Sequence, residues 1–338
     1  MGIDIDKLSC LLDLHIHLDG SISLDSYKKL AEIQGIKVEL SDDELIKKLQ
    51  VPEGCKDLNE YLDKFEFPLK VLQTKETISE SVKCLIDEQT AGGVMYSEIR
   101  FAPQLHTNSG LTQEEVVEAA ISGLKKSDIK MHKLILCCMR GDNNKEENLK
   151  TVEVAKKYLN KGVVAVDLAG AEGLFPTYDF KDVFEKATAY GIPLTVHAGE
   201  ADGPESVDCA VRCGASRIGH GVRAWENDAV LQELIDGGIP LEMCPTSNLN
   251  TKLFNDISQY PLVDMYKKGV KVTVNTDNMT VSDTNIKKEL KLLVHTFNID
   301  DIMLKDILFN GVEASFADGD TKILMRKRIE AEFGVGYE

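Results

Sequence analysis

The sequence predicts an α/β fold, a (β/α)8 barrel with extra helices between its first and second strands that cover the barrel mouth. Eight short, nearly continuous apolar runs alternate with longer segments of helical pattern. Reactive side chains gather at the C-terminal ends of those runs, the end at which such barrels build their sites. Roughly seventy residues separate the first run from the second, far more than one barrel helix and its loops need. A hydrophobic content of 43% is ample for a large core, and barrels of this class commonly reach 338 residues as one domain, so 1–338 reads as a single domain.

In chain order the runs are Leu11 to His17, Val94 to Phe101, Lys133 to Met139, Val163 to Leu168, Ile192 to His197, Arg217 to His220, Ile239 to Cys244, and Lys271 to Thr276. Strands apolar along their whole length are buried on both faces, as in a parallel sheet wrapped by helices. The intervening segments, such as Thr177 to Tyr190 and Ala224 to Asp236, are rich in Ala, Glu, Lys and Leu and read as helices. Gly162, Gly191 and Gly269 stand where a helix C-cap precedes a strand. The surplus from about Leu24 to Thr74 is expected to be helical and to lie over the mouth. Within it Leu58, Tyr61, Leu62 and Phe65 fall at i, i+3, i+4 and i+7. Spacing alone favours a stripe that packs on the barrel over a lid on the site.

Acidic residues outnumber basic ones 56 to 39, a formal charge of −17. Such a surface repels phosphate backbones and anionic headgroups, which argues against nucleic acid and membrane partners; the simplest role of the acidity is solubility. The N-terminus lacks the cationic start and apolar stretch of a signal peptide, and no run reaches membrane-spanning length. The eight cysteines are scattered, and Cys209 and Cys213 lack zinc-finger spacing. They read as reduced thiols of a cytoplasmic protein. Nothing in the pattern sets an oligomeric state.

At or near the predicted strand ends stand His15, His17, Glu98, Arg100, Arg140, Asp167, His197, Glu200, His220, Glu242 and Asp277. Residues i and i+2 of a strand share a face, so His15 and His17 present two imidazoles to one point. With His197 and Asp277 they make a nitrogen/oxygen set suited to one Zn²⁺ per chain with a position left for water. The first and eighth strands are neighbours in a closed barrel, which brings His15, His17 and Asp277 together. In His197-Ala198-Gly199-Glu200 the glycine frees a turn that swings Glu200 over the mouth. A sheltered carboxyl there has a raised pKa and serves as a proton donor; the plainer alternative is a cap on the next helix. His220, between two glycines, is placed to take a proton from the attacking water. Asp277 is both ligand and acceptor for that water. Arg100 and Arg140 are expected to pair with Glu98 or other buried acids, and Thr246-Ser247-Asn248 reads as a loop turn.

The strings LHIHLDGS (14–21), CCMRG (137–141), DLAGAE (167–172), TVHAGE (195–200), IGHG (218–221), CPTSN (244–248) and VNTDN (274–278) resemble the adenosine deaminases of the amidohydrolase superfamily, in order and over nearly the whole chain. The resemblance implies zinc on His15, His17, His197 and Asp277, with a purine nucleoside as the small-molecule partner. It implies proton donation from Glu200 to purine N1, with His220 and Asp277 managing the water. Gly170 would contact N3 through its backbone, His17 would line the pocket, and Asp19 would contact the ribose 5′-hydroxyl. Leu58, Tyr61, Leu62 and Phe65 match the family's hydrophobic gate, which replaces the packing reading of that stripe. The family often carries a second aspartate after the ligand Asp, where this sequence has Asn278. Purine N7 only accepts, and the Asn amide donates at every pH, so Asn278 is expected to preserve purine recognition. Relatives on the same scaffold act on adenine, aminofutalosine or N6-modified AMP, which leaves another 6-aminopurine compound as the alternative substrate. Asp19 argues for a neutral nucleoside, since a phosphate would meet its carboxylate.

Overall fold

The computed structural model describes residues 2–128 and 131–334. All eight predicted strands form, in order: β1 (Leu11–His17), β2 (Val94–Phe101), β3 (Lys133–Met139), β4 (Val163–Ala169), β5 (Thr195–Ala198), β6 (Arg217–His220), β7 (Leu241–Met243) and β8 (Val272–Val274). They pair in parallel as β1-β2-β3-β4 and β5-β6-β7-β8. Parallel bridges join the two sets at both seams, Val166 with Leu194 and Ile16 with Asp277. At the second seam His17 N–H donates to Asp277 C=O at 2.7 Å and Asp277 N–H to His15 C=O at 2.8 Å. These seams close the barrel and leave no open sheet edge among the described residues.

β5 and β7 begin later than their apolar runs because Pro193 and Pro240 have no N–H to give the ladder. β8 ends early: the Asn275 side chain accepts from Leu14 N–H at 2.9 Å, and the chain then peels toward β1. The insert is helical, as expected. Ser23, Ser41 and Asp57 each accept a backbone N–H and start the helices Leu24–Gln34, Asp42–Leu49 and Leu58–Leu62. Gly35, at φ 73°, ends the first of them. Among the described residues no helix is long and apolar enough to cross a membrane, and the cysteines are free.

Candidate active site

The inward faces of the strands carry a buried charge lattice beneath the mouth. Arg100 of β2 donates to Asp167 of β4 at 2.8 Å, to Glu242 of β7 at 2.7 Å and to Leu14 C=O at 2.7 Å. Glu242 also accepts from Arg217 at 2.5 Å and Thr195 at 2.7 Å. Two expectations are corrected here. Glu98 does not belong to the mouth: it lies one layer deeper, paired with Arg217 at 2.6 Å and accepting from Phe316 N–H at 2.6 Å. It is two residues before Arg100 on β2, about 6.6 Å further down the strand. Nor does Arg140 pair with an acid. Its guanidinium donates to the carbonyls of His197 (2.5 Å) and Phe175 (2.7 Å) and to the Thr177 hydroxyl (2.9 Å).

On this lattice stand the histidines. His15 Nδ1–H donates to Glu242 at 2.8 Å and His197 Nδ1–H to Asp167 at 2.9 Å, which turns both Nε2 atoms toward the mouth. Gly219 of β6 makes room: a Cβ there would stand 3.0 Å from the His15 ring. His17 Nε2 lies 3.2 Å from His197 Nε2 and 3.3 Å from Asp277 Oδ1, and His15 Nε2 lies 3.4 Å from the same oxygen. Ligand atoms bound tetrahedrally at 2.0–2.1 Å sit about 3.3 Å apart, so these spacings fit one metal ion. His15 Nε2 is also buried without a hydrogen-bond partner, as a ligand atom facing an ion would be.

His220 is close enough to compete for the metal, since its ring and those of His15 and His197 join Asp277 in one group with ligand atoms within 4.8 Å of one another. Its partners argue otherwise. The Asn248 amide nitrogen faces His220 Nδ1 at 3.1 Å, while the amide oxygen takes the Tyr260 hydroxyl at 3.0 Å. A ring that accepts at Nδ1 keeps its proton on Nε2, and a protonated nitrogen does not ligate. That Nε2 points at Glu200, 3.6 Å away. His220 and Asp277 both have positive φ, 58° and 59°, a costly conformation for residues with side chains and one that collects at functional sites.

Burial holds His17 and His220 well below the usual imidazole pKa, so both are neutral. Although burial opposes it, the close approach of His15 and the neighbouring imidazoles keep Asp277 well below the carboxylate range. Glu200, 5% exposed, is driven well above that range by burial, with the Asp277 and Glu172 charges adding to the effect. Asp19 is raised to about 6, again by burial.

A cavity of about 310 Å³ opens over this group. His17, Asp19, Gly170, His197, Glu200, His220, Asp277 and Asn278 line it, together with Leu58, Tyr61, Leu62 and Phe65; His15 sits behind. The apolar stripe therefore faces the cavity. It packs with Cys55 and Val281 in a small cluster of its own, apart from the barrel core, and Tyr61 OH reaches Ser282 at 2.7 Å.

Two residues of the presumed loop turn after β7 prove to be part of the site. Residues Pro245–Asn250 form a short helix, and Ser247 donates to Asp277 Oδ2 at 2.6 Å beside the Asn248–His220 contact. Both are polar side chains just past a strand end, the same pattern that marks the other residues of the site. Glu289 holds this helix in place, accepting from Thr246 N–H at 3.1 Å and from the Thr284 hydroxyl. Burial raises the Glu289 carboxyl from 4.5 to about 7. The folded state thus prefers the protonated form. Its stabilising contribution is complete below 4.5 and is lost as pH rises through 7, a fall of up to about 3 kcal/mol. Glu289→Gln should flatten that slope in urea unfolding at about pH 5 and about pH 7.5; an unchanged slope assigns it elsewhere.

A cluster of histidines and an aspartate able to hold a metal at the mouth of a (β/α)8 barrel, with a buried acid and an imidazole beside it, fits a hydrolase barrel of the amidohydrolase type. The sequence model of the adenosine deaminase family matches residues 11–332. The chain is 46% identical over 331 residues to an adenosine deaminase from Haemophilus ducreyi, covering 96% of each, and 38% identical to one from Clostridium acetobutylicum, covering 94% and 96%. The chain belongs to the adenosine deaminase family. Among solved structures it is similar to an adenine deaminase from Arthrobacter aurescens (TM-score 0.86, 26% identity, 95% and 98% covered). An amidohydrolase with bound Zn from Burkholderia ambifaria shares the fold (TM-score 0.85, 22% identity, 96% and 91% covered).

Proposed function

We propose that this protein hydrolyses adenosine and 2′-deoxyadenosine to the inosine product and ammonia, with one zinc ion held by His15, His17, His197 and Asp277. The observation that carries the reading is the convergence of Glu200, His220 and Asp277 in one cavity that the apolar stripe Leu58, Tyr61, Leu62 and Phe65 also lines. When bound, zinc lowers the pKa of a water enough for it to act as a nucleophile near neutrality. Glu200, protonated by its buried setting, donates to N1 so that the ring need not carry negative charge as the C6–O bond forms. Neutral His220 donates its Nε2–H to the attacking oxygen, Asp277 takes that water's proton and passes it to the C6 amino group, the C6 hydroxyl returns a proton to Glu200, and the C6–N bond then breaks to release ammonia. Asp19 receives the 5′-hydroxyl, the Gly170 backbone contacts N3, and the lid stripe keeps bulk water out.

The cavity lining disfavours a 5′-phosphate. Arg140, which lines the cavity, gives both terminal nitrogens to two carbonyls and a hydroxyl, and Asp19 would repel the charge. The test follows the ultraviolet change on deamination with zinc-loaded protein given adenosine, adenine, AMP and aminofutalosine in parallel. Adenosine should have the highest kcat/KM, and a preference for any of the other three would move the substrate. The free cysteines support a reducing, cytoplasmic setting.

Asn278 carries a further expectation. It lines the cavity against Gly20, where a Cβ would collide with its side chain, and its Oδ1 is buried without a partner. Donation from its amide to N7 predicts that Asn278→Asp raises KM for adenosine at neutral pH by roughly tenfold. Tighter binding by the variant would show that N7 is not read by a donor here.

A further inference from the structure

The turn that carries Glu200 is wrapped around a second carboxylate. Glu172, three residues beyond β4, is 1% exposed and does not line the cavity. Its Oε1 accepts from Gly199 N–H at 2.7 Å and from the Ser206 hydroxyl at 2.5 Å. Its Oε2 accepts from the N–H groups of Glu200 (2.9 Å), Ala201 (2.7 Å) and Asp202 (3.1 Å). Gly199 makes this possible: its φ is +69°, and a Cβ there would stand 2.5 Å from the Val207 side chain. The chain turns at that one residue and aims consecutive N–H groups at a point, a cradle that calls for an anion. From the other side Arg140 grips His197 C=O, and Thr177, which Arg140 also binds, meets Ser206 at 2.7 Å. The segment is thus held on both flanks.

We infer that Glu172 is a positioning residue for Glu200, its carboxylate acting as the fixed anion that sets where the acid stands relative to the reacting ring. The inference rests on Glu200 being the proton donor. A buried carboxylate is costly unless fully hydrogen-bonded. Here that cost is offset by four backbone donors from the turn that carries the acid and by the Ser206 hydroxyl of the helix that follows it. Charge-assisted bonds are about twice as strong as neutral ones, and an amide at this position would set its own NH2 against the backbone donors.

The test is a double-mutant cycle of Glu172→Gln and Glu200→Gln on the zinc-loaded protein, with kcat, KM for adenosine and bound zinc measured for each. Misplacing a reacting group by an ångström costs on the order of 10²-fold. Glu172→Gln alone should therefore lower kcat by about that factor, with KM within about threefold and zinc content unchanged. In the Glu200→Gln background the same change should lower kcat by less than about twofold, because the group it positions is already gone. A general structural defect lowers kcat by the same factor in both backgrounds, and that result overturns the inference, as does wild-type kcat in Glu172→Gln. If Glu200→Gln by itself keeps wild-type kcat, the assignment of the acid fails instead, and the inference falls with it. Should Glu172→Gln not fold, Ser206→Ala removes one bond to the same carboxylate and enters the same cycle, with a several-fold loss expected in the first background only.

Discussion

Glu200→Gln is expected to lower kcat for adenosine by roughly 10³-fold with the zinc site intact, since general acid catalysis contributes 10²–10⁴-fold. Glutamine keeps the shape and can still donate a hydrogen bond, but it cannot transfer a proton to N1. The wild-type carboxyl is suited to the task because burial, then the charges of Asp277 and Glu172, hold it in the acid form. The sign for pH follows. The acid form is the working form, so wild-type kcat falls as pH rises through the elevated pKa of Glu200. The residual rate of the glutamine variant should lack that alkaline limb. Steady-state kinetics across pH, with metal content measured alongside, check both points. A variant within tenfold of wild type would mean that N1 is protonated by another route.

Much of this site was legible in the sequence because barrel geometry turns chain position into spatial position. A polar residue that ends an apolar parallel strand arrives at the mouth, and that rule alone placed His17, His197, His220 and Asp277. What it could not supply was depth. Glu98 and Arg100 both point inward from β2, yet the stagger of the closed barrel, not the run of residues, decides which acid meets which arginine. Hence Arg100 meets Asp167 and Glu242 while Glu98 meets Arg217. The lid stripe illustrates the same limit. Its i, i+3, i+4, i+7 spacing identifies an amphipathic helix, but whether the apolar face meets core or cavity depends on contacts more than two hundred residues away, such as Tyr61 with Ser282. A short polar segment after a strand looks like a turn, which hides the part that Ser247 and Asn248 play. Their function lies in partners on β6 and at the β8 seam that local pattern does not reveal.

Removing the metal should abolish turnover, and the manner of its loss should follow the lattice beneath it. Chelation or Asp277→Ala is expected to leave less than about 10⁻³ of wild-type activity, because a bound metal ion is what would bring the pKa of water near neutrality. Added zinc should restore the chelated wild type but not the variant. Asp167→Asn should behave differently. Asp167 does not line the cavity; it fixes the His197 ring through Nδ1 at 2.9 Å and is tied to Arg100 at 2.8 Å. Losing such an orienting carboxylate costs 10–100-fold in metal affinity, so this variant should be weak at limiting zinc and recover most of its kcat at saturation. Competition against a calibrated chelator reads the affinity directly. Unchanged zinc affinity in Asp167→Asn would show that Arg140, which grips His197 through its carbonyl, fixes the ligand without help from the carboxylate. Full activity after chelation would remove zinc from the reaction altogether and leave the buried cluster of histidines and aspartate with only a structural role.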